Sequence, residues 1–119
     1  MPTGFPAELK LYKYVSLTTF RKNGAAVSTP VWFAEDGGKL YVMTRNDSGK
    51  YKRIRNNPQV RIAPCTVRGT VIGPELPAQA QVLPAEDSGI ARRAIRAKYW
   101  ITRITALWSK NNIYLELIA

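Results

Sequence analysis

Runs of alternating apolar and polar residues fill most of the first 83 positions, and a longer, helical period replaces them afterwards. Residues 12–20, YKYVSLTTF, are rich in β-branched and aromatic side chains and predict a strand. Asn23-Gly24 is a strong hairpin signal, so residues 26–35, AVSTPVWFAE, read as the return strand. Pro30 inside that run has no amide hydrogen and must face an edge, a bulge or a ligand. A second turn, DGG at 36–38, leads into a third strand, KLYVMTR at 39–45, which completes a β-meander. A short helix fits residues 48–56, capped by Asp47 or Ser48 and ended before Pro58. QVRIAPC (59–65) reads as a fourth strand, 66–77 as a loop holding Gly69, Gly73, Pro74 and Pro77, and AQAQVL (78–83) as a fifth strand.

From residue 84 the period changes. Pro84, Glu86 and Asp87 suit a helix start, and Ile90, Ala94, Ile101, Ile104 and Trp108 recur at helical spacing through 110. A break near Tyr99-Trp100 would make this a helical hairpin, and NIYLELI (112–118) alternates again as the last strand. The expected fold is mainly β. It is a single domain over residues 1–119, with about six antiparallel strands, a short helix after strand 3 and a helical hairpin before the last strand. Short strands joined by tight turns favour a barrel.

Charge adds a partner to this picture. Eighteen basic and eight acidic residues give a net charge of +10, which predicts an anionic partner: nucleic acid, a membrane surface or a phosphorylated small molecule. The chain has no histidine, which removes the commonest general base and metal ligand. With Cys65 as the single cysteine, an internal disulfide and a Ser-His or Cys-His nucleophile are excluded, and a zinc site is not expected. An enzyme of this composition would rely on a bound cofactor for its chemistry. Glu8, Lys10 and Lys13 interrupt the first 20 residues, so no signal peptide is expected. No apolar run approaches the roughly 18 residues of a membrane span, and the cytoplasm is the expected location.

The charge concentrates in TRNDSGKYKRIRNNP, residues 44–58. One reading is a solvated amphipathic helix with Tyr51 and Ile54 turned to the core. The other is an anion site. A helix start exposes free amides and a partial positive charge, Ser48 and Thr44 add hydroxyls, Gly49 opens the backbone, and Lys50 adds a full charge. The glycine pattern matches neither a P-loop nor a dinucleotide fingerprint.

TPVWF on the second strand, then LYVMT, SGKYKRIRNNP and RIAPC, together resemble the flavin and deazaflavin oxidoreductases of the split β-barrel group, relatives of pyridoxamine 5'-phosphate oxidase. The similarity runs from about Tyr14 to Cys65, with a matching terminal strand, and is nearest to the branch that uses coenzyme F420, although members also bind FMN. The resemblance implies a split barrel whose strand-loop-helix segment holds the cofactor phosphate, here Thr44, Ser48, Gly49 and Lys50 with Arg53 assisting. It implies a ring lying along Thr29, Pro30, Val31 and Trp32, bordered by Met43, with Pro64 and Cys65 where the fourth strand passes the cofactor. It also implies a homodimer with two cofactor sites at the interface. The chain departs from the vitamin B6 oxidases. It carries Gly49-Lys50 where they have an Arg-Lys pair, and it lacks their longer C-terminal segment, so oxidation of that vitamin is not expected.

Other residues have plain structural readings. Trp32 and Phe33 suit a core, Trp100 and Trp108 would pack the hairpin or line a pocket or dimer contact, and Cys65 suits a small buried hydrophobe. Arg92, Arg93, Arg96, Lys98 and Arg103 suit a solvated helix face, or a basic exterior attracting the polyglutamate tail of F420. The expected function is an FMN- or F420-dependent oxidoreductase moving hydride to or from a small organic substrate, with no catalytic side chain named. The alternatives are a nucleic-acid-binding barrel, with Tyr and Arg interleaved, and a flavin-binding protein without turnover.

Overall fold

The two hairpins begin at left-handed glycines. Gly24 has φ 88° and Gly37 and Gly38 have φ 62° and 83°, conformations that cost a side-chain-bearing residue energy. Asn23 supports the first turn by accepting a 2.9 Å hydrogen bond from the amide of Ala25. These turns join β1 (Tyr14–Phe20), β2 (Ala26–Asp36) and β3 (Lys39–Arg45). The chain continues through α1 (Gly49–Asn56), β4 (Gln59–Cys65), β5 (Leu76–Val82), a 3-10 turn (Ala85–Asp87), α2 (Gly89–Lys98) and β6 (Asn112–Ile118). This computed structural model describes residues 5, 9, 12–45, 49–98 and 112–119.

The six strands close into an antiparallel barrel in the order β1-β2-β3-β6-β5-β4. Strict alternation sends one set of side chains inward: Leu17, Phe33, Leu40, Ile62, Leu115 and Leu117 are all fully buried there. Each such side chain contributes about 1.5–3 kcal/mol by leaving water. α1 covers one end of the barrel and inserts Ile54 into the same core. α2 lies on the outer face, where Ala91 and Ile95, four residues apart and so on one helix face, pack on Ala34, Tyr41 and Tyr114.

β5 begins at Leu76, two residues before the expected start. Pro77 fits inside it because β6 pairs with β5 only from Gln79 onward, so the edge at Pro77 needs no amide hydrogen. The expected helix at 84–110 is a 3-10 turn followed by α2. The expected break near Tyr99-Trp100, the second helix, Arg103 and Trp108 lie outside the described residues.

β2 and β3 pair only between Phe33–Asp36 and Lys39–Val42. Before that point β2 bonds to β1 alone, from Ala26 to Trp32; beyond it β3 bonds to β6 alone, at Met43, Thr44 and Arg45. The barrel is split between these two stretches. Pro30 stands on one lip of the split, which answers its missing donor: that edge of β2 has no ladder to complete.

A cationic helix start beside the split barrel

The split places two sequence-distant segments on opposite lips. Thr29, Pro30, Val31 and Trp32 form one lip and Met43 and Thr44 the other. Their side chains divide between two faces. Thr29 and Val31 follow the inward alternation of Phe33, while Pro30 and Trp32 point outward. Thr29 Oγ1 is buried and has no hydrogen-bond partner among the described residues. Met43 and Trp32 both pack against the outer cluster under α2, and Thr44 turns inward and is buried.

Pro64 and Cys65 lie further round the barrel. β1 separates them from β2, and the registers run Trp32–Tyr14–Cys65 and Pro30–Ser16–Ala63 across the three strands. Ser16 and Ala63 face outward yet are buried. The loop after β4 folds back over them: Val71 bridges to Cys65, and the space for a Cβ on Gly69, itself at φ +89°, lies 3.6 Å from Pro30 Cδ. Ser28 and Thr18 join hydroxyls at 2.6 Å on the same outer face. Burial pushes the Cys65 thiol pKa up, which suits a small hydrophobe better than a reactive thiolate.

β3 leads from the lip toward α1. The helix has no acidic residue in its first turn. Lys50 is half-buried, and its pKa is lowered first by that burial and then by the charge of Arg53. Arg53 lies on the same side: its Nη1 sits 2.6 Å from where a Cβ on Gly49 would stand. Arg53 Nε donates a 2.5 Å hydrogen bond to Oγ1 of Thr19, a fully buried residue of β1. Burial and then the charge of Arg21, just past β1, lower the Arg53 pKa. Arg53 thus feels Arg21 on one side and acts on Lys50 on the other, at the barrel end where a helix start also presents free amides. Such a set is complementary to an anion, because an anion relieves the mutual repulsion of partly desolvated positive charges.

Of the residues expected at the phosphate end, Gly49, Lys50 and Arg53 come together here, Thr44 is the next-to-last residue of the strand that leads to them, and Ser48 lies outside the described residues. Arg21 and Thr19 were missed. Arg21 follows a strand in the RKNGA turn, where a basic residue gives no signal beyond solubility. Thr19 is indistinguishable, in sequence, from any β-branched strand residue. Arg55 is used otherwise, with its guanidinium 5.4 Å above the Tyr51 ring.

A family model described as pyridoxamine 5'-phosphate oxidase matches residues 5–110. The chain belongs to that family. The family binds flavins in general. Among solved structures, a candidate pyridoxamine 5'-phosphate oxidase from Listeria innocua superposes with TM-score 0.72 at 18% identity, over 93% of this chain and 86% of its own. A candidate 5-nitroimidazole antibiotic resistance protein from Bacteroides thetaiotaomicron gives 0.70 at 13% identity, over 90% and 73%. A heme storage protein from Vibrio cholerae gives 0.70 at 15% identity, over 93% and 84%. At these identities the likeness is one of fold. A search of curated proteins found no match. Among the described residues, no helix is long and apolar enough to cross a membrane, and no group of three or more His, Cys, Asp or Glu could hold a metal ion.

Proposed function

We propose that this chain is a cofactor-binding oxidoreductase: it takes FMN or coenzyme F420 at a dimer interface and supports hydride transfer to or from a small organic substrate. The cofactor domain spans residues 1–119, and the nearest branch by motif is the F420-using one. The observation that carries the reading is the cation set of Lys50, Arg53 and Arg21 at a helix whose first turn, from Gly49 onward, holds no acidic residue, in a chain of a flavin-binding family. The donor set fits a phosphate. Lys50, Arg53 and the first amides of α1 supply charge and hydrogen bonds, with Thr44 and Ser48 as added hydroxyls.

The bound cofactor would supply the redox chemistry itself. The chain's own residues bind, orient and exclude water. Pro30 and Trp32 on one lip, and Met43 on the other, offer apolar surface to a flat ring. Thr29 and Val31 hold their lip in place through the barrel interior, Cys65 contributes the far side of the outer face, and Pro64 alternates to the inner side in register with Val15. The heme reading suggested by the Vibrio cholerae relative is weaker here, because the chain has no histidine to serve as the axial ligand.

The test is an absorption spectrum of the purified protein, titrated with FMN and with F420. Saturable binding of one of them, followed by reduction or oxidation of the bound cofactor in the presence of candidate substrates, supports the reading. Binding without turnover would leave a flavin-binding protein. Tight oligonucleotide binding that falls roughly a thousandfold between 50 and 200 mM salt, without cofactor binding, would replace it with the nucleic-acid reading.

A further inference from the structure

Arg53 and Thr19 stand 34 positions apart in sequence, yet their side chains meet at the end of the barrel. Thr19 is fully buried on β1, and its hydroxyl accepts from Arg53 Nε at 2.5 Å. A guanidinium has five N–H donors in one rigid plane. Committing Nε to a buried acceptor fixes that plane and leaves the four Nη hydrogens for other partners. Nη1 then lies against Gly49, 2.6 Å from the position of a missing Cβ. Gly49 is helical and its φ is not in the left-handed range, so backbone strain does not demand glycine there.

We propose that Thr19 is a positioning residue for the Arg53 guanidinium, and that Gly49 lacks a side chain because that guanidinium occupies the space. Together they hold a second cation beside Lys50 at the first turn of α1, preorganised for a phosphate group. The inference rests on the phosphate reading above and deepens it. A free arginine samples many rotamers and must be ordered when an anion binds; one held by a buried hydroxyl has met that cost in folding. The opposing explanation is a plain structural tie between α1 and β1.

The two explanations separate in binding and stability measured on the full chain. Thr19→Val keeps the shape of the side chain and removes the acceptor; it should weaken FMN or F420 binding roughly 5- to 20-fold, less than the loss of a whole charge-assisted contact, because Arg53 keeps its charge and loses only its fixed orientation. Thr19→Ser restores the acceptor and should bind within about twofold of the parent. Gly49→Ala should keep or raise the melting temperature, since alanine favours helix over glycine, while weakening binding by displacing the guanidinium. In an Arg53→Ala background, both Thr19→Val and Gly49→Ala should lose their effect on affinity, because they act through Arg53.

A parent that binds while Thr19→Val binds equally overturns this inference and leaves the phosphate reading standing. Full additivity of Gly49→Ala with Arg53→Ala would also overturn it, since the glycine would then serve the ligand's approach directly. A parent that binds neither cofactor nor inorganic phosphate removes both readings together.

Discussion

α1 and α2 each cover the barrel through one buried isoleucine, and each is basic, yet their charges sit in different surroundings. Ile54 of α1 enters the barrel end; Ile95 of α2 lies on the outer face with Ala91. On α1, Lys50 and Arg53 are partly desolvated, face one another and have no acidic residue in the first turn. On α2, Arg92 and Arg93 are exposed, and Arg92 rests 5.7 Å above the Tyr114 ring. The concavity of about 440 Å³ beside α2 sets Arg93 and Lys98 against Glu35 and Asp36 of β2, so it carries both signs of charge. The number of basic residues therefore does not locate an anion site. On the proposed reading, partial desolvation combined with a first turn free of carboxylates marks α1 as the anion site, whereas the desolvated Lys98 of α2 shares its concavity with Glu35 and Asp36.

The largest effect should come from the apolar side of this comparison. Ile95→Ala removes a fully buried side chain from beneath α2 and should cost about 2–5 kcal/mol of stability, read as a lower urea midpoint at an unchanged m-value. A cost below about 1 kcal/mol would mean that α2 is not anchored as described.

Next comes Lys50→Ala. It removes a charge-assisted contact worth about 1.5–3 kcal/mol, so titration calorimetry should show FMN or F420 bound roughly 10- to 150-fold more weakly. Folding should survive, and Arg55→Ala should cost much less affinity because Arg55 is engaged with Tyr51. Equal affinities for Lys50→Ala and the parent would reduce α1 to a solvated helix like the outer face of α2.

A smaller effect should appear in the pH dependence of stability. Burial lowers the Lys98 pKa from 10.5 to about 8, with its ammonium 3.5 Å from the centre of the Phe33 ring. Between pH 8 and 10.5 the unfolded chain holds more protons than the folded one, so stability should rise with pH across that window. Tyr41 works in the opposite direction later. Burial, then its 3.1 Å hydrogen bond to Glu116, raise its pKa to about 12. The folded chain keeps a proton that the unfolded chain loses, so stability should fall from about pH 10 to 12. Denaturation of Lys98→Met should lack the rise and keep the fall; a rise that persists would move its origin to another group.

The smallest effect belongs to the exposed arginines. Arg92→Ala and Arg93→Ala should each change stability by no more than about 0.5 kcal/mol and cofactor affinity by less than about twofold. If Arg93→Ala weakened binding as much as Lys50→Ala, the charge would be acting as a long-range field, and the contrast between the helices would fail.

Much of this architecture could be read from local pattern. Strands 39–45, 59–65 and 112–118 coincide with β3, β4 and β6, because alternation and flanking turn residues are properties of short segments. β5 begins two residues before the start that local pattern predicts, because Pro77 reads as a loop residue in sequence and only its unpaired edge in the barrel explains its place in a strand. The resemblance and the helix-start chemistry together brought Gly49, Lys50 and Arg53 forward as a group. They did not show which face each of Thr29 to Trp32 presents, since that depends on where β2 leaves β3.

The sequence by itself determined most of the strands, the turns that join them and the segment where positive charge meets a helix start. Each follows from the conformational preference of a few neighbouring residues. The tertiary structure alone decided that the barrel splits between Trp32 and Met43, that Arg21 stands near Arg53, and that Thr19 holds the guanidinium. Those relations join residues far apart in the chain. They arise because burying one face of every strand fixes the register of the whole barrel, and a buried threonine hydroxyl then becomes the acceptor that Arg53 can reach.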